Sequence, residues 1–261
     1  MDLHYGEAGT GLPLVLLHGF PLDHTLWFPQ LESLAGVARV IAPDLRGFGR
    51  SPEASATTAM EVHAQDVKQL LDRIGITRAV VGGLSMGGYV ALAFAEMYPE
   101  MLQGLILCNT RAVADGEAAR RRREITALKA LDGGVPELSR NMVGQLISIH
   151  SAKAQPGLGR LVEAMLIRQS ASAWAASSRG MAIRPDRTPL LAKLQVPALV
   201  ITGSRDTLIL PAESEAMAAK LPHAELVVIP DVGHLSNLEA PSAFNAAVRK
   251  FLHCVVRTGV Q

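Results

Sequence analysis

Short apolar runs rich in Val, Ile and Leu alternate along this chain with longer amphipathic stretches. LVLLH (14–18), VARVIAP (37–43), AVVGG (79–83), LILCN (105–109), ALVITG (198–203) and ELVVIP (225–230) each predict a strand. They are mostly continuous rather than alternating, as expected of strands covered on both faces. DLHYGEAG (2–9) adds a candidate antiparallel edge strand. Helices are predicted near 59–74, 87–97, 213–220 and 241–253. In the first, Met60, Val67, Leu70, Leu71 and Ile74 fall on one face at helical spacing. The last opens with EAPSAF (239–244), a proline and serine where a helix can begin. Alternation of this kind implies an α/β fold with helices on both faces of one sheet.

The rhythm breaks between Thr110 and Leu190, where roughly 80 residues pass without a strand pattern. Val135, Leu138, Met142, Leu146 and Ile149 recur at helical spacing, as do Leu158, Leu161, Val162, Met165 and Leu166. The segment reads as a small helical insertion after the strand ending near Asn109. It returns to the sheet through RPDRTPLLAKLQVP (184–197). The expected division is therefore a core of residues 1–110 and 191–261 with 111–190 inserted.

At 261 residues, with 49% hydrophobic and 19% charged positions, the chain can bury a large core. A net charge of +1 gives no global field for nucleic acid or an anionic membrane. No window approaches the roughly 20 apolar residues of a membrane span. No basic-then-apolar start is visible. The two cysteines, Cys108 and Cys254, call for no oxidising compartment. A soluble, cytoplasmic protein, monomeric or a small homo-oligomer, is expected. No GxGxxG follows the first core strand, there is no Walker A lysine and no HExxH, and the histidines are scattered. No cofactor and no metal are expected.

The candidate chemistry lies in GLSMG (83–87), a G-x-S-x-G directly after a strand and before a helical run. Such an elbow exposes Ser85 at the sheet rim, beside helix amides that favour developing negative charge. A serine hydroxyl needs a base. His234, after the last strand in VIPDVGH (228–234), has the setting for it. The base needs an orienting acid. Asp206, in TGSRDTLI (202–209), follows the preceding strand. Asp231 is too close along one loop to orient His234, and the end of the LILC strand holds Asn109 and Thr110 in place of an acid. The backbone N–H groups of Met86 and Phe20 are the expected oxyanion donors. Phe20, Leu22, Met86, Met165, Trp174 and Met181 are candidate substrate contacts. His18 is expected to shape its loop. His4, His24, His63, His150, His223 and His253 are read as surface or local hydrogen-bonding groups, with His24 best placed to approach a pocket. The run RRRRE (120–124) is expected to be a solvated face, though its arginines could also attract a carboxylated substrate.

With LLHGFPLDHTLW (16–27), VIAPDLRGFGRS (40–51), VGGLSMGGYVALAFA (81–95), ALVITGSRD (198–206) and IPDVGHLSNLEAP (229–241) in this order, the chain resembles the α/β-hydrolase superfamily. The resemblance implies a mostly parallel sheet of about seven or eight strands, with an outer strand missing at the short N-terminus. It also implies a cap formed by residues 111–190. The roles it carries over are Ser85 as nucleophile, Asp206 as acid, His234 as base, and Phe20 and Met86 as oxyanion amides. The 46–51 tract matches a structural loop of the superfamily. The nearest likeness is to small microbial carboxylesterases, then to 3-oxoadipate enol-lactonases, with the cofactor-free haloperoxidases further off. Haloalkane dehalogenases and epoxide hydrolases carry aspartate at the elbow, where this chain has Ser85. The expected reaction is hydrolysis of a small or short-acyl ester through an acyl-enzyme, with lactone hydrolysis as the alternative and a cofactor-free haloperoxidase or perhydrolase activity ranked behind it.

Overall fold

The computed structural model describes residues 1–52 and 55–258. Seven strands form one sheet among these residues: β1 (Tyr5–Ala8), β2 (Pro13–Leu17), β3 (Arg39–Pro43), β4 (Ala79–Leu84), β5 (Leu102–Cys108), β6 (Ala198–Gly203) and β7 (Ala224–Ile229). Their order is β1-β3-β2-β4-β5-β6-β7. Only β1 pairs antiparallel, against β3. The other pairs are parallel, so the loops after β2 to β7 emerge along one rim.

Twelve α-helices accompany them among the described residues. These are α1 (Phe28–Leu34), α2 (Met60–Arg73), α3 (Met86–Met97), α4 (Glu117–Lys129), α5 (Val135–Leu146) and α6 (Ile149–Ala154). After them come α7 (Leu158–Ile167), α8 (Ala171–Ile183), α9 (Thr188–Leu191), α10 (Pro211–Ala218), α11 (Ser236–Glu239) and α12 (Pro241–Thr258). Helices flank both faces of the sheet, and α4 to α9 form the helical cap region between β5 and β6. No helix among the described residues is long and apolar enough to cross a membrane.

The central strands are buried along their whole length: every residue of β4 and of β6 is enclosed. Helix α3 is buried continuously from Met86 to Ala95 and packs on β4 and α2. Each Val, Leu or Phe so enclosed contributes roughly 1.5–3 kcal/mol. Strand β7 departs from the covered-strand expectation. Its continuous apolar run lies at the sheet edge, where Leu226 and Val228 remain exposed because fewer elements cover them. The face traced from Val135 to Ile149 is also interrupted. Helix α5 ends at Leu146, Ser148 caps α6 by accepting from the Ser151 N–H, and Ile149 points to solvent. Helix α1 has no counterpart among the predicted helices, since seven residues of FPQLESL are too few to display a period.

Candidate active site

Ser85 stands between β4 and α3 at φ 54° and ψ −114°, a conformation few non-glycine residues adopt. The glycines around it make that turn possible. A Cβ on Gly83 would lie 2.0 Å from the Gly87 carbonyl oxygen, and one on Gly87 would lie 2.1 Å from the Leu17 oxygen. The elbow is then tied to β5. The Ser85 N–H donates to the Cys108 carbonyl (2.9 Å), and the Thr110 hydroxyl donates to the Ser85 carbonyl (2.8 Å). Asn109 and Asp231 are the other non-glycine residues with positive φ among those described. Backbone strain is thus concentrated at the ends of the parallel strands, where functional sites store it.

His234 and Asp206 meet across two of these loops. His234 Nδ1 lies 2.8 Å from Asp206 Oδ2, and both side chains are buried. The other carboxylate oxygen accepts from the N–H groups of Leu208 (2.9 Å) and Ile209 (3.1 Å). Burial by itself would raise the Asp206 pKa. The charge and hydrogen bond of His234, with those from Asn109 and Ile209, outweigh it and hold the carboxyl below its ordinary range.

Ser85 and His234 open onto one cavity of about 280 Å³, which Phe20, Met181, Arg111, Arg122 and Arg123 also line. The loop carrying Phe20 abuts the elbow, since a Cβ on Gly19 would come within 3.4 Å of the Ser85 Cβ. Met86, Leu22, Met165 and Trp174 are buried and absent from the cavity wall. Trp174 instead stands edge-to-face against Phe20, with ring centroids 5.2 Å apart, and so backs the wall. Asp231 is half-exposed toward Arg205, at 3.2 Å, and does not meet His234. His18 is buried and shapes its loop. Its Nε2 accepts from the Leu45 N–H, leaving Nδ1–H for the Gly19 carbonyl. His63 is fully buried rather than at the surface, and His24 is turned toward Asp44 and away from the cavity.

The arginine run is divided. Arg121 is solvent-exposed and pairs with Glu117 on its own helix. Arg122 and Arg123 face the cavity. Arg111, Arg123 and Arg184 converge on Asp115, and Arg111 also reaches Glu213. Burial would raise the Asp115 pKa, but Arg184 and Arg123 draw it down to about 2. Arg122 has no carboxylate partner among the described residues, so the rim keeps an excess of positive charge.

Two positioning residues were not singled out from the sequence. Asn109, read only as a missing acid, donates through Nδ2 to Asp206 Oδ2 (2.9 Å) and to the Gly233 carbonyl (3.2 Å). Its Oδ1 accepts from the Ser236 hydroxyl (2.6 Å). Glu239 is buried and accepts from the N–H groups of Gly233 (2.9 Å), Leu235 (3.1 Å) and Ser148 (2.8 Å). It clamps the backbone on both sides of His234 and ties that loop to the cap. An acid five residues past a histidine looks in sequence like an ordinary helix-end carboxylate, and no signal separates the two.

The family model of the alpha/beta hydrolase fold matches residues 13–241. The chain belongs to that family. Among solved structures it is similar to a thermophilic esterase from Thermogutta terrifontis with malate bound. That likeness has 42% identity and a TM-score of 0.95, and covers 97% of this chain and 93% of the other. An enol-lactonase from Burkholderia xenovorans LB400 is 28% identical with a TM-score of 0.89, covering 96% of each chain. A curated relative, the dihydrolipoyllysine-residue acetyltransferase component of an acetoin cleaving system from Pseudomonas putida, is 34% identical over 95% of this chain. The chain spans 64% of that relative's length.

Proposed function

We propose that this alpha/beta hydrolase cleaves small carboxylic esters through an acyl-enzyme on Ser85, and that a carboxylate on the substrate is held by the arginine rim. The observation that carries the reading is that Ser85 and His234 share one cavity while Asp206 occupies His234 Nδ1. Nε2 is then the ring nitrogen left to exchange the serine proton. His234 takes that proton as Ser85 Oγ attacks the carbonyl carbon. The amides of Phe20 and Met86 receive the developing oxyanion, and Asp206 stabilises the imidazolium. His234 returns the proton to the departing alkoxide. It then deprotonates a water that attacks the acyl-serine, and gives that proton back to Ser85 as the acid leaves. No step requires a metal or an organic cofactor.

The cavity volume supports small substrates, and Arg122, without a carboxylate partner among the described residues, supports anionic ones. The malate on the Thermogutta terrifontis esterase, a dicarboxylate, is in keeping with this. Lactone hydrolysis is the second reading, favoured by the likeness to the Burkholderia enol-lactonase. The same groups would open a cyclic ester without releasing a separate alcohol.

The test is a panel of neutral p-nitrophenyl esters, a dicarboxylic hemi-ester and an enol-lactone, assayed with the native chain and with Ser85→Ala. Turnover should fall on the order of 10⁵-fold in the variant. The native chain should release a burst of alcohol and carry an acyl mass adduct on Ser85. Undiminished ester turnover in Ser85→Ala would overturn the mechanism. A lactone rate far above every ester rate would establish the second reading.

A further inference from the structure

We infer that His4, His24 and Asp44 form a binding site for one divalent transition-metal ion of the zinc class, separate from the catalytic cavity. The three residues come from different segments. Strand β1 pairs with β3 so that Tyr5 faces Pro43, which sets His4 beside Asp44, and the Asp44 N–H donates to the His4 carbonyl at 2.8 Å. His24 arrives from the loop after β2, where a short 3₁₀ turn begins.

The Asp44 carboxylate is wholly enclosed and meets one imidazole on each oxygen. His4 Nδ1 is 2.9 Å from Oδ2, and His24 Nδ1 is 2.7 Å from Oδ1. The rings are 4.9 Å apart, and the candidate ligand atoms all lie within 4.8 Å of one another. Ligands bound tetrahedrally to zinc at its usual distances of about 2.0–2.2 Å sit about 3.4 Å from one another, so each ring would draw back from the carboxylate by roughly half an ångström to admit the ion. Two imidazoles with one carboxylate suit zinc, nickel, cobalt or copper, and not the harder calcium or magnesium.

Hydrogen bonding between the rings and the carboxylate accounts for the cluster without a metal, and it also prepares one. Each Asp44 oxygen accepts a backbone N–H as well, from His24 on Oδ1 (2.7 Å) and Arg50 on Oδ2 (3.0 Å). Those bonds can persist when an ion replaces the imidazole protons, fixing the carboxylate from outside the coordination sphere. A neutral imidazole becomes a ligand by carrying its proton on Nε2 instead of Nδ1, so binding to neutral rings releases no proton. The His4 and His24 side chains are 30% and 14% exposed, which gives the ion a way in and leaves a position for water. Held there, the ion would tie the start of the chain to the loop that carries Phe20.

The test uses the full chain without an affinity tag, freed of metal by chelation. Zn²⁺ is titrated by calorimetry and Co²⁺ by its visible absorption, with His4→Gln and His24→Gln alongside. One Zn²⁺ per chain, Co²⁺ bands showing nitrogen–oxygen coordination and a raised Tm are expected. Affinity should fall at least about tenfold in each variant. Removing His24 can loosen its loop, so His4→Gln, checked by circular dichroism, decides the matter. Unchanged affinity in His4→Gln, or no binding of either metal at millimolar concentration, overturns the site.

Discussion

Helices α3 and α4 are nearly equal in length and do opposite work. From Met86 to Ala95, α3 presents nothing to solvent, and its glycines touch neighbouring backbone and side chains. Along α4 only Ala127 is buried, Ile125 and Leu128 are exposed, and the run of arginines faces both solvent and cavity. The first region holds Ser85 in a strained conformation, which persists only where the surroundings over-determine it. The second sets the shape and charge of the space above, through side chains that can change without disturbing the fold. On the proposed function, reaction geometry and substrate preference are therefore separable.

One substitution made in each region breaks or upholds this contrast. Gly87→Ala drives a Cβ to 2.1 Å from the Leu17 carbonyl, where only backbone could yield. A loss of about 3 kcal/mol or more in urea unfolding is expected, with activity lost alongside. Gly144 lies inside α5, where an added Cβ would meet nothing within 4 Å and φ is not positive. Gly144→Ala should stabilise by about 0.5–1 kcal/mol, because alanine loses less backbone entropy in a helix. Equal and small effects at both positions would remove the distinction between rigid rim and tolerant cap.

The same contrast explains what could be read from the chain. Strands β2 to β6 were legible because burial on both faces leaves continuous apolar runs. The elbow and the loops of Asp206 and His234 were legible because each follows a continuous apolar run, the last of them on the half-exposed edge strand β7. Apolar residues on cap helices were ambiguous. Met165 and Trp174 carry the same helical signature as Met181, yet only Met181 reaches the cavity, because periodicity marks a buried face without saying what fills the space beside it. Contacts between distant segments left no local signal at all. The grip of Glu239 on Ser148 and the meeting of His4 with His24 and Asp44 depend on sheet order and loop path.

The seam between core and cap gives a pH-dependent test. His63 of α2 is fully buried beside Ser177 of α8, and the Thr58 N–H before α2 donates to the Ala176 carbonyl (3.0 Å). Burial, with the positive fields of His18 and Arg46, pushes the His63 pKa down to about 3. The unfolded chain therefore binds a proton at this residue between about pH 6.5 and 3 that the folded chain refuses. Stability is complete above that window and declines as pH falls through it, by about 2 kcal/mol at pH 5. His18, lowered chiefly by burial, acts in the same direction. The depressed carboxylates such as Asp206 lose most of their contribution below about pH 4, so at pH 5 the loss comes mainly from the buried histidines. Urea midpoints at pH 7 and pH 5 should converge partway in His63→Asn. An unaltered difference would show that the seam is not the acid-sensitive element.

The smallest expected effect is the one that assigns a task to the cap. Arg122 lines the cavity without a carboxylate partner among the described residues, whereas its neighbour Arg121 points away and pairs with Glu117. An exposed charge pair contributes at most about 1 kcal/mol, so Arg122→Gln should reduce kcat/KM for a carboxylate-bearing ester about fivefold. The change should fall on KM, since a distant carboxylate binds alike in the ground and transition states. Neutral esters should respond by less than about twofold, and Arg121→Gln should alter neither class. High salt should erase the advantage of the native chain, because an exposed charge is screened within a few ångströms at molar salt. A uniform fall across neutral and anionic esters would instead make Arg122 part of the cavity's shape, and the separation of reaction geometry from substrate preference would fail at the residue where it is most exposed to test.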